Sequence, residues 1–255
     1  MKLKDKVVLI TDGASATGLA IAERFKTEGA IVTLNVYPRN STLEGGQWGM
    51  LTCANPVRKE EVDTALASVL DRYGRIDLVI HNNNEVIRAD LEDCTDEIFD
   101  QVLNINTKSA FLFVQAAGVS MKQAGKGGFV FISSIHDEKP NGAAFSYSIA
   151  KGAIKMLVRE MVLDLGPYNV RSNIVSMGPM EGCDKLFYSE LSPLYEHPKE
   201  RTVNTRYTSV DEVANAALFF AGDDCPSTNG SELVLDGGFL LSYYTRGKSS
   251  GGKTT

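Results

Sequence analysis

The chain has 255 residues, of which 43% are hydrophobic and 23% charged, and its formal net charge at pH 7 is −6. This balance suits one globular domain, and a negative charge without a lysine or arginine cluster argues against a nucleic-acid partner. No stretch approaches the ~18 consecutive apolar residues that span a membrane, so we expect no membrane association.

The cysteines and histidines show no pattern typical of a binding site. The four cysteines, at positions 53, 94, 183 and 225, include no CxxC pair, and none of the three histidines is paired at ligand spacing. Scattered cysteines are typical of reduced thiols inside cells, whereas zinc sites use closely spaced Cys and His ligands. We therefore predict a cytoplasmic protein without a metal site.

Short apolar runs alternate with amphipathic stretches along the whole chain. Buried strands are predicted over residues 7–10, 31–36, 51–53, 76–80, 129–132, 170–175 and 233–235. Helices are predicted over residues 19–29, 59–73, 95–122, 146–165 and 210–221, the third of these as two helices end to end. Residues 37–50 have no helical period, and residues 178–208 are predicted to be loops with short helical pieces.

This alternation predicts an α/β fold built on a doubly wound parallel sheet. The chain has no internal repeat and no linker, so we predict a single domain. Residues 247–255 contain only Gly, Ser, Lys and Thr, and we predict that this tail is disordered.

The fifth strand and the helix after it bring three polar side chains together. Ser134 follows the strand, and Tyr147 and Lys151 stand four residues apart on one face of the helix. Ligands of open α/β sheets bind at the carboxyl edge, where these groups converge. An ammonium beside a phenol favours the phenolate, so the pair suits proton exchange with an alcohol or carbonyl. The alternative is an ordinary exposed helical pair.

A glycine-containing turn, TDGASATG, links the first strand to the first helix. Helix N-terminal amides at such a place bind a dinucleotide pyrophosphate, and glycine allows close approach of the backbone. Gly13 and Gly18 suit this function, although similar turns also connect strands and helices that bind nothing.

Taken in order, these pieces resemble the short-chain dehydrogenase/reductase family. The resemblance covers residues 2–244 and rests on TDGASATG, DLVIHNNN at 77–84, NIN at 104–106, Ser134, YSIAK at 147–151, VRSNIVSMGP at 170–179 and LVLDGG at 233–238. It implies a Rossmann-like domain with three αβα layers over residues 1–246. It also implies an NAD- or NADP-dependent oxidoreductase that interconverts an alcohol and a carbonyl by hydride transfer.

The family implies a function for each matching residue. Tyr147 would be the general acid/base, Lys151 would assist it and hold the nicotinamide ribose, and Ser134 would hydrogen-bond the substrate oxygen. Asn106 would hold a water that connects Lys151 with solvent. Cofactor contacts are implied for Asp12, Ser15, Thr17, Gly18, Val36, Tyr37, Arg39, Asn55, Asn82, Tyr147, Lys151 and Gly178, and substrate contacts for Ser134, His136 and Tyr147.

Several cofactor positions depart from the family pattern. Asp12 and Ala16 replace glycines of the turn, and a carboxylate there would repel a pyrophosphate. Residues 81–84 replace the family's Asn-Asn-Ala-Gly, and Val36 and Asn55 replace acidic residues. A second hypothesis is therefore a family homologue with weak or lost cofactor binding that serves as a binding or scaffold protein.

The choice between NAD and NADP is open. Val36 lacks the carboxylate that is typical of NAD enzymes in the family. Arg39 could bind the 2′-phosphate of NADP or be a solvated loop charge, and Ser15 replaces a basic residue found in many NADP enzymes.

The expected partner is a small-molecule alcohol or carbonyl, whose class is also open. The segment after Ser134, IHDEKP, resembles the glucose dehydrogenase branch of the family, in which His136 would hydrogen-bond a sugar hydroxyl. In contrast, the apolar side chains of residues 183–197 suit an apolar ligand or the packing of a lid. The family pairs its long helices, here 95–122 and 146–165, so we expect a homodimer or homotetramer.

Overall fold

A computed structural model of the protein describes residues 1–38, 43, 45–181 and 202–242. Its strands are β1 Val7–Ile10, β2 Ile31–Asn35, β3 Met50–Thr52, β4 Leu78–His81, β5 Gly127–Ser134, β6 Val170–Met177 and β7 Glu232–Leu235. These seven strands form one parallel sheet in the order β3-β2-β1-β4-β5-β6-β7. The predicted doubly wound sheet is confirmed.

Helices cover both faces of the sheet. They are α1 Ala16–Thr27, α2 Lys59–Tyr73, α3 Asp96–Leu103, α4 Ser109–Ala124, α5 Phe145–Leu165 and α6 Val210–Ala221. Phe25 of α1 and Phe220 of α6 belong to the core on one face, whereas Leu66 of α2, Phe113 of α4 and Val158 of α5 belong to the core on the other. The fold is therefore a Rossmann-like α/β domain with a sheet between two helical layers.

The predicted elements are confirmed with boundary shifts of a few residues. Helix α1 begins three residues before the predicted start because Ser15 caps it: the Gly18 amide donates to Ser15 Oγ at 3.1 Å. Strand β5 continues through Ser134, since its pairing with β6 extends to the Ser134–Met177 pair. With these boundaries, Ser15 and Ser134 both lie at the carboxyl edge of the sheet.

The long helical region after β4 has an irregular centre. A π-helical segment, Asn104–Lys108, joins α3 to α4, and the Ser109 amide donates to the Asn104 carbonyl five residues back. Two helices end to end are therefore confirmed, with a widened turn between them. Such widened turns are frequent at functional sites, and this one contains Asn106.

The strand order reverses between β1 and β4, which is where open α/β sheets bind ligands. Within the described part of the chain, none of the helices combines the length and the apolar character that a membrane span requires. Arg39, the apolar segment 183–197 and the tail 247–255 lie outside the described residues.

Candidate active site

Tyr147 and Lys151 form a buried pair at the start of α5. Only 3% of Tyr147 and 1% of Lys151 is exposed, and Lys151 Nζ lies 5.2 Å from the centroid of the Tyr147 ring. Burial lowers the pKa of Lys151 to about 7, against the opposing charge of Asp137. The alternative of an exposed helical pair is therefore wrong, because the ring and the ammonium are both enclosed and stacked.

Ser134 and His136 extend this pair toward β5. Ser134 Oγ lies 2.9 Å from His136 Nδ1, and the His136 ring meets the Tyr147 ring edge-on at a centroid distance of 5.4 Å. Burial, and secondarily the charge of Lys151, lowers the pKa of His136 to about 4. The imidazole is therefore neutral at physiological pH, and four predicted site residues form one contiguous group.

Asn106 fixes the chain that follows β4. Its side chain is fully buried, and Nδ2 donates to the carbonyls of Glu85 at 2.8 Å and Val102 at 2.9 Å. Its Oδ1 accepts from the Glu85 amide at 3.4 Å. Asn106 therefore holds the backbone next to Asn84, whose side chain contacts Tyr147.

The Tyr147 hydroxyl donates a hydrogen bond to Asn84 Oδ1 at 2.8 Å. Asn84 is exposed whereas Tyr147 is buried, so this hydrogen bond joins the enclosed ring to a residue at the surface. The sequence analysis identified position 84 only as part of a segment that departs from the family pattern. The replacement of the family's glycine by a side chain with an amide was the signal that could have indicated this contact.

The first turn is compact and places a carboxyl group near the sheet edge. Asp12 has φ of +47°, a left-handed conformation that Asp tolerates. Burial, opposed by a hydrogen bond from Ser15 and aided by the charge of Glu85, raises the pKa of Asp12 to about 6. Asp12 is therefore mostly ionised at neutral pH, but the balance is close enough for a nearby anion to shift it.

The two retained glycines of the turn are required by its packing. A Cβ on Gly13 would lie 2.7 Å from Leu34 Cβ, and a Cβ on Gly18 would lie 2.5 Å from the Asp12 carbonyl oxygen. Ser15 Oγ accepts from the Gly18 amide, which leaves the amides of Ala16 and Thr17 in the first helical turn for a ligand. The turn therefore fits an anionic group at the N-terminus of α1.

Asn82 joins this turn to the end of β4. Its amide nitrogen Nδ2 donates to Ser15 Oγ at 2.9 Å, and its backbone amide donates to Thr11 Oγ1 at 2.9 Å. Asn82, Ser15 and Asp12 are thus brought together as predicted, on the same sheet edge as Tyr147.

Comparisons with known proteins agree with this geometry. The family profile described as enoyl-(acyl carrier protein) reductase matches residues 13–240. Among curated proteins, sorbose reductase sou1 of Schizosaccharomyces pombe is 32% identical over 250 residues, which are 93% of this chain and 96% of that protein. The chain belongs to the short-chain dehydrogenase/reductase family. It is an oxidoreductase of that family, as the sequence predicted.

Other short-chain dehydrogenases/reductases extend the comparison. The cis-2,3-dihydrobiphenyl-2,3-diol dehydrogenase of Paraburkholderia xenovorans is 35% identical over 257 residues, covering 93% of this chain and 92% of that protein. The crystal structure of NAD⁺-bound xylitol dehydrogenase superposes with a TM-score of 0.86 at 25% identity, covering 93% of this chain and 100% of that one. None of these three relatives is named a glucose dehydrogenase, so that branch stays a prediction.

The positions predicted to contact the adenosine end of the cofactor differ in exposure. Val36 is buried in the core that includes Trp48. Tyr37 and Asn55 do meet, because Asn55 Nδ2 donates to the Tyr37 hydroxyl at 3.0 Å. Gly178 lies against β7, where a Cβ would be 2.6 Å from Asp236 Cβ, so any larger residue would displace that strand end.

Proposed function

We propose that the protein interconverts an alcohol and a carbonyl compound with NAD or NADP as the redox cofactor. The observation that carries this proposal is the enclosed Tyr147–Lys151 pair with Ser134 at the carboxyl edge of the sheet. The tight glycine turn and the open amides of α1 on the same edge support a dinucleotide beside that pair. The nicotinamide, when bound, supplies or accepts the hydride.

The residues of the chain handle the proton. The Tyr147 hydroxyl donates a proton to the substrate oxygen during reduction and accepts one during oxidation. Lys151 Nζ lies beside the ring, and its ammonium form stabilises the phenolate that reduction leaves. Ser134 donates a hydrogen bond to the same substrate oxygen, which stabilises the charge that develops there.

The direct test is a turnover screen with the purified protein. NAD⁺ or NADP⁺ is mixed with glycerol, xylitol or cyclopentanol, and NADH or NADPH with sorbose or cyclopentanone, while the absorbance of the reduced nicotinamide is followed. We expect turnover with at least one pair. An inactive protein across the whole panel would contradict the proposed function.

Asn84 affects how tightly a substrate binds, because its amide occupies the hydrogen-bond position on Tyr147 that a substrate oxygen needs. Asn84→Ala is therefore expected to lower KM for the substrate about threefold, with kcat nearly unchanged. In the variant, a substrate no longer has to break the solvent-accessible hydrogen bond between Tyr147 and Asn84 before it binds. Initial-rate kinetics at saturating nucleotide measure both constants.

Gln101→Ala is the matched control for this prediction. The Gln101 amide donates to Glu85 Oε1 at 3.0 Å, so its loss removes a hydrogen bond to the residue that follows Asn84 and is expected to leave KM unchanged. A KM that rises in Asn84→Ala would show that the amide binds substrate instead of competing with it.

A homodimer or homotetramer also belongs to this proposal. Large apolar side chains project from the outer faces of the two long helices, with exposed fractions of 47% for Phe111, 57% for Val119, 52% for Met156 and 73% for Leu163. An exposed apolar surface of this extent supports contact with a second copy. The cytoplasmic location is proposed on the free thiols of Cys53, Cys94 and Cys225.

The assembly prediction is tested with Phe111→Glu combined with Met156→Glu. A charge on each helix face opposes the burial of both faces in an interface. We therefore expect light scattering after gel filtration to give the mass of a monomer for the variant. Leu91→Glu is the control, because Leu91 is 71% exposed outside these helices. A wild-type protein that elutes as a monomer would overturn the proposal.

A further inference from the structure

A short chain of hydrogen bonds links the loop before α5 to Ser134. Asn141 Nδ2 lies 3.3 Å from His136 Nε2, and His136 Nδ1 lies 2.9 Å from Ser134 Oγ. His136 is only 5% exposed, so this chain of hydrogen bonds is buried at its centre. The direction of each bond decides what the Ser134 hydroxyl can do.

The orientation of the Asn141 amide is fixed by the backbone. Its Oδ1 accepts from the amides of Ala143 at 3.0 Å and Ala144 at 3.1 Å, and backbone amides can only donate. The atom facing His136 is therefore the NH₂ group of Asn141. Since that group is also only a donor, His136 Nε2 must accept and carry no hydrogen.

The remaining nitrogen of the ring then carries the hydrogen. A neutral imidazole has one N–H, so with Nε2 as acceptor the hydrogen lies on Nδ1 and is donated to Ser134 Oγ. The His136 backbone amide also donates to Ser134 Oγ, at 3.4 Å. Ser134 thus receives two hydrogen bonds within the protein, and its own hydroxyl proton is left to point elsewhere.

We propose that Asn141 and His136 are positioning residues that set the Ser134 hydroxyl as a donor to the substrate oxygen. This inference rests on the proposed function, in which Ser134 contacts that oxygen. With the opposite tautomer, Nδ1 would accept the Ser134 proton, and the substrate oxygen would face only serine lone pairs. The Asn141 amide therefore determines, through His136, whether the Ser134 hydroxyl donates or accepts in its hydrogen bond to the substrate.

The tautomer is measured by ¹⁵N NMR of the histidine side chains in the full-length protein. The chain contains three histidines, at positions 81, 136 and 197, and the spectrum of His136→Gln identifies the His136 signals. We expect a protonated, pyrrole-type Nδ1 and an unprotonated, pyridine-type Nε2 near neutral pH. A protonated Nε2 would overturn the proposal, whatever the activity of the protein.

Asn141→Asp tests the link to Ser134. The carboxylate still accepts from the amides of Ala143 and Ala144, so the loop is retained. Its second oxygen replaces the NH₂ group and can only accept, so it requires a hydrogen on His136 Nε2. We expect a reversed tautomer in the NMR spectrum and a loss of about 10²-fold in kcat, as for removal of one oxyanion donor. Asn229→Asp is the matched control, because Asn229 Oδ1 also accepts from a backbone amide, that of Ser172.

A double-mutant cycle separates positioning from general damage. In a Ser134→Ala background, Asn141→Asp is expected to cost nothing further, because the hydroxyl that it acts through is already absent. Additive losses would overturn the proposed link. The predicted tautomer in a protein that turns over no substrate would refute the proposed function and leave the tautomer assignment intact, so the two failures are distinguishable.

Discussion

Tyr147→Phe is expected to lower kcat by about 10³-fold, because the variant lacks the group that gives or takes the proton at the substrate oxygen. The fold is expected to be retained. The buried ring, its edge-on contact with His136 and its position beside Lys151 are all preserved when only the hydroxyl is removed. Asn84, the acceptor of the lost hydrogen bond, is exposed and can bond to water instead.

The measurement is steady-state turnover together with thermal unfolding of the variant and the wild type. Tyr168→Phe is the matched control, since Tyr168 is 45% exposed at the end of α5 and packs with Lys122. We expect unchanged turnover in that control. Near-normal turnover in folded Tyr147→Phe would remove Tyr147 from the reaction and leave the proposed proton path without a donor.

Asp12→Asn is expected to tighten binding of the nucleotide about tenfold at about pH 8. An ionised carboxylate in the turn repels the pyrophosphate, and one partly screened charge pair is worth about 1–2 kcal/mol. Since burial raises the pKa of Asp12 to about 6, the wild type should also bind more tightly near pH 5 than near pH 8. The Asn variant should lack this pH dependence, which titrations at the two pH values measure.

The same carboxyl group affects stability. Its pKa is raised from 3.8 to about 6 in the folded protein, so folding favours the protonated form. The resulting penalty is absent below 3.8, grows between the two pKa values and is complete above about 6. Asp12→Asn should therefore raise the free energy of unfolding by about 3 kcal/mol near pH 8 and by less near pH 5. An equal gain at both values would contradict the assigned pKa.

The fold was predictable because each strand is a short apolar run that the sheet buries on both faces. Residues 7–10 and 78–81 are buried throughout, and such runs have no competing helical period. Boundaries were less predictable where a side chain decides them. The cap on α1 depends on the Ser15 hydroxyl reaching the Gly18 amide, a contact that apolar periodicity does not report.

The juxtaposition of Tyr147 and Lys151 was predictable from spacing, since residues four apart on a helix share a face. The contacts around it were not, because they join positions distant in the chain. Tyr147 meets Asn84 across 63 residues, and the buried Asn106 positions that partner through the backbone of Glu85. Asn141 lies only five residues from His136, but the effect of their contact on the His136 tautomer depends on which amide atom faces the ring. The burial of Val36 in the core with Trp48 likewise depends on contacts between positions far apart in the chain.

The central claim is that this chain places a nicotinamide beside Tyr147, despite the changes in its glycine turn. The most direct test is titration of the purified wild type with NADH and NADPH near pH 7, following nicotinamide fluorescence. We predict saturable binding of at least one nucleotide, with a dissociation constant below about 1 mM. Failure of both nucleotides to bind at millimolar concentration would contradict the claim and favour a family homologue that serves as a binding or scaffold protein.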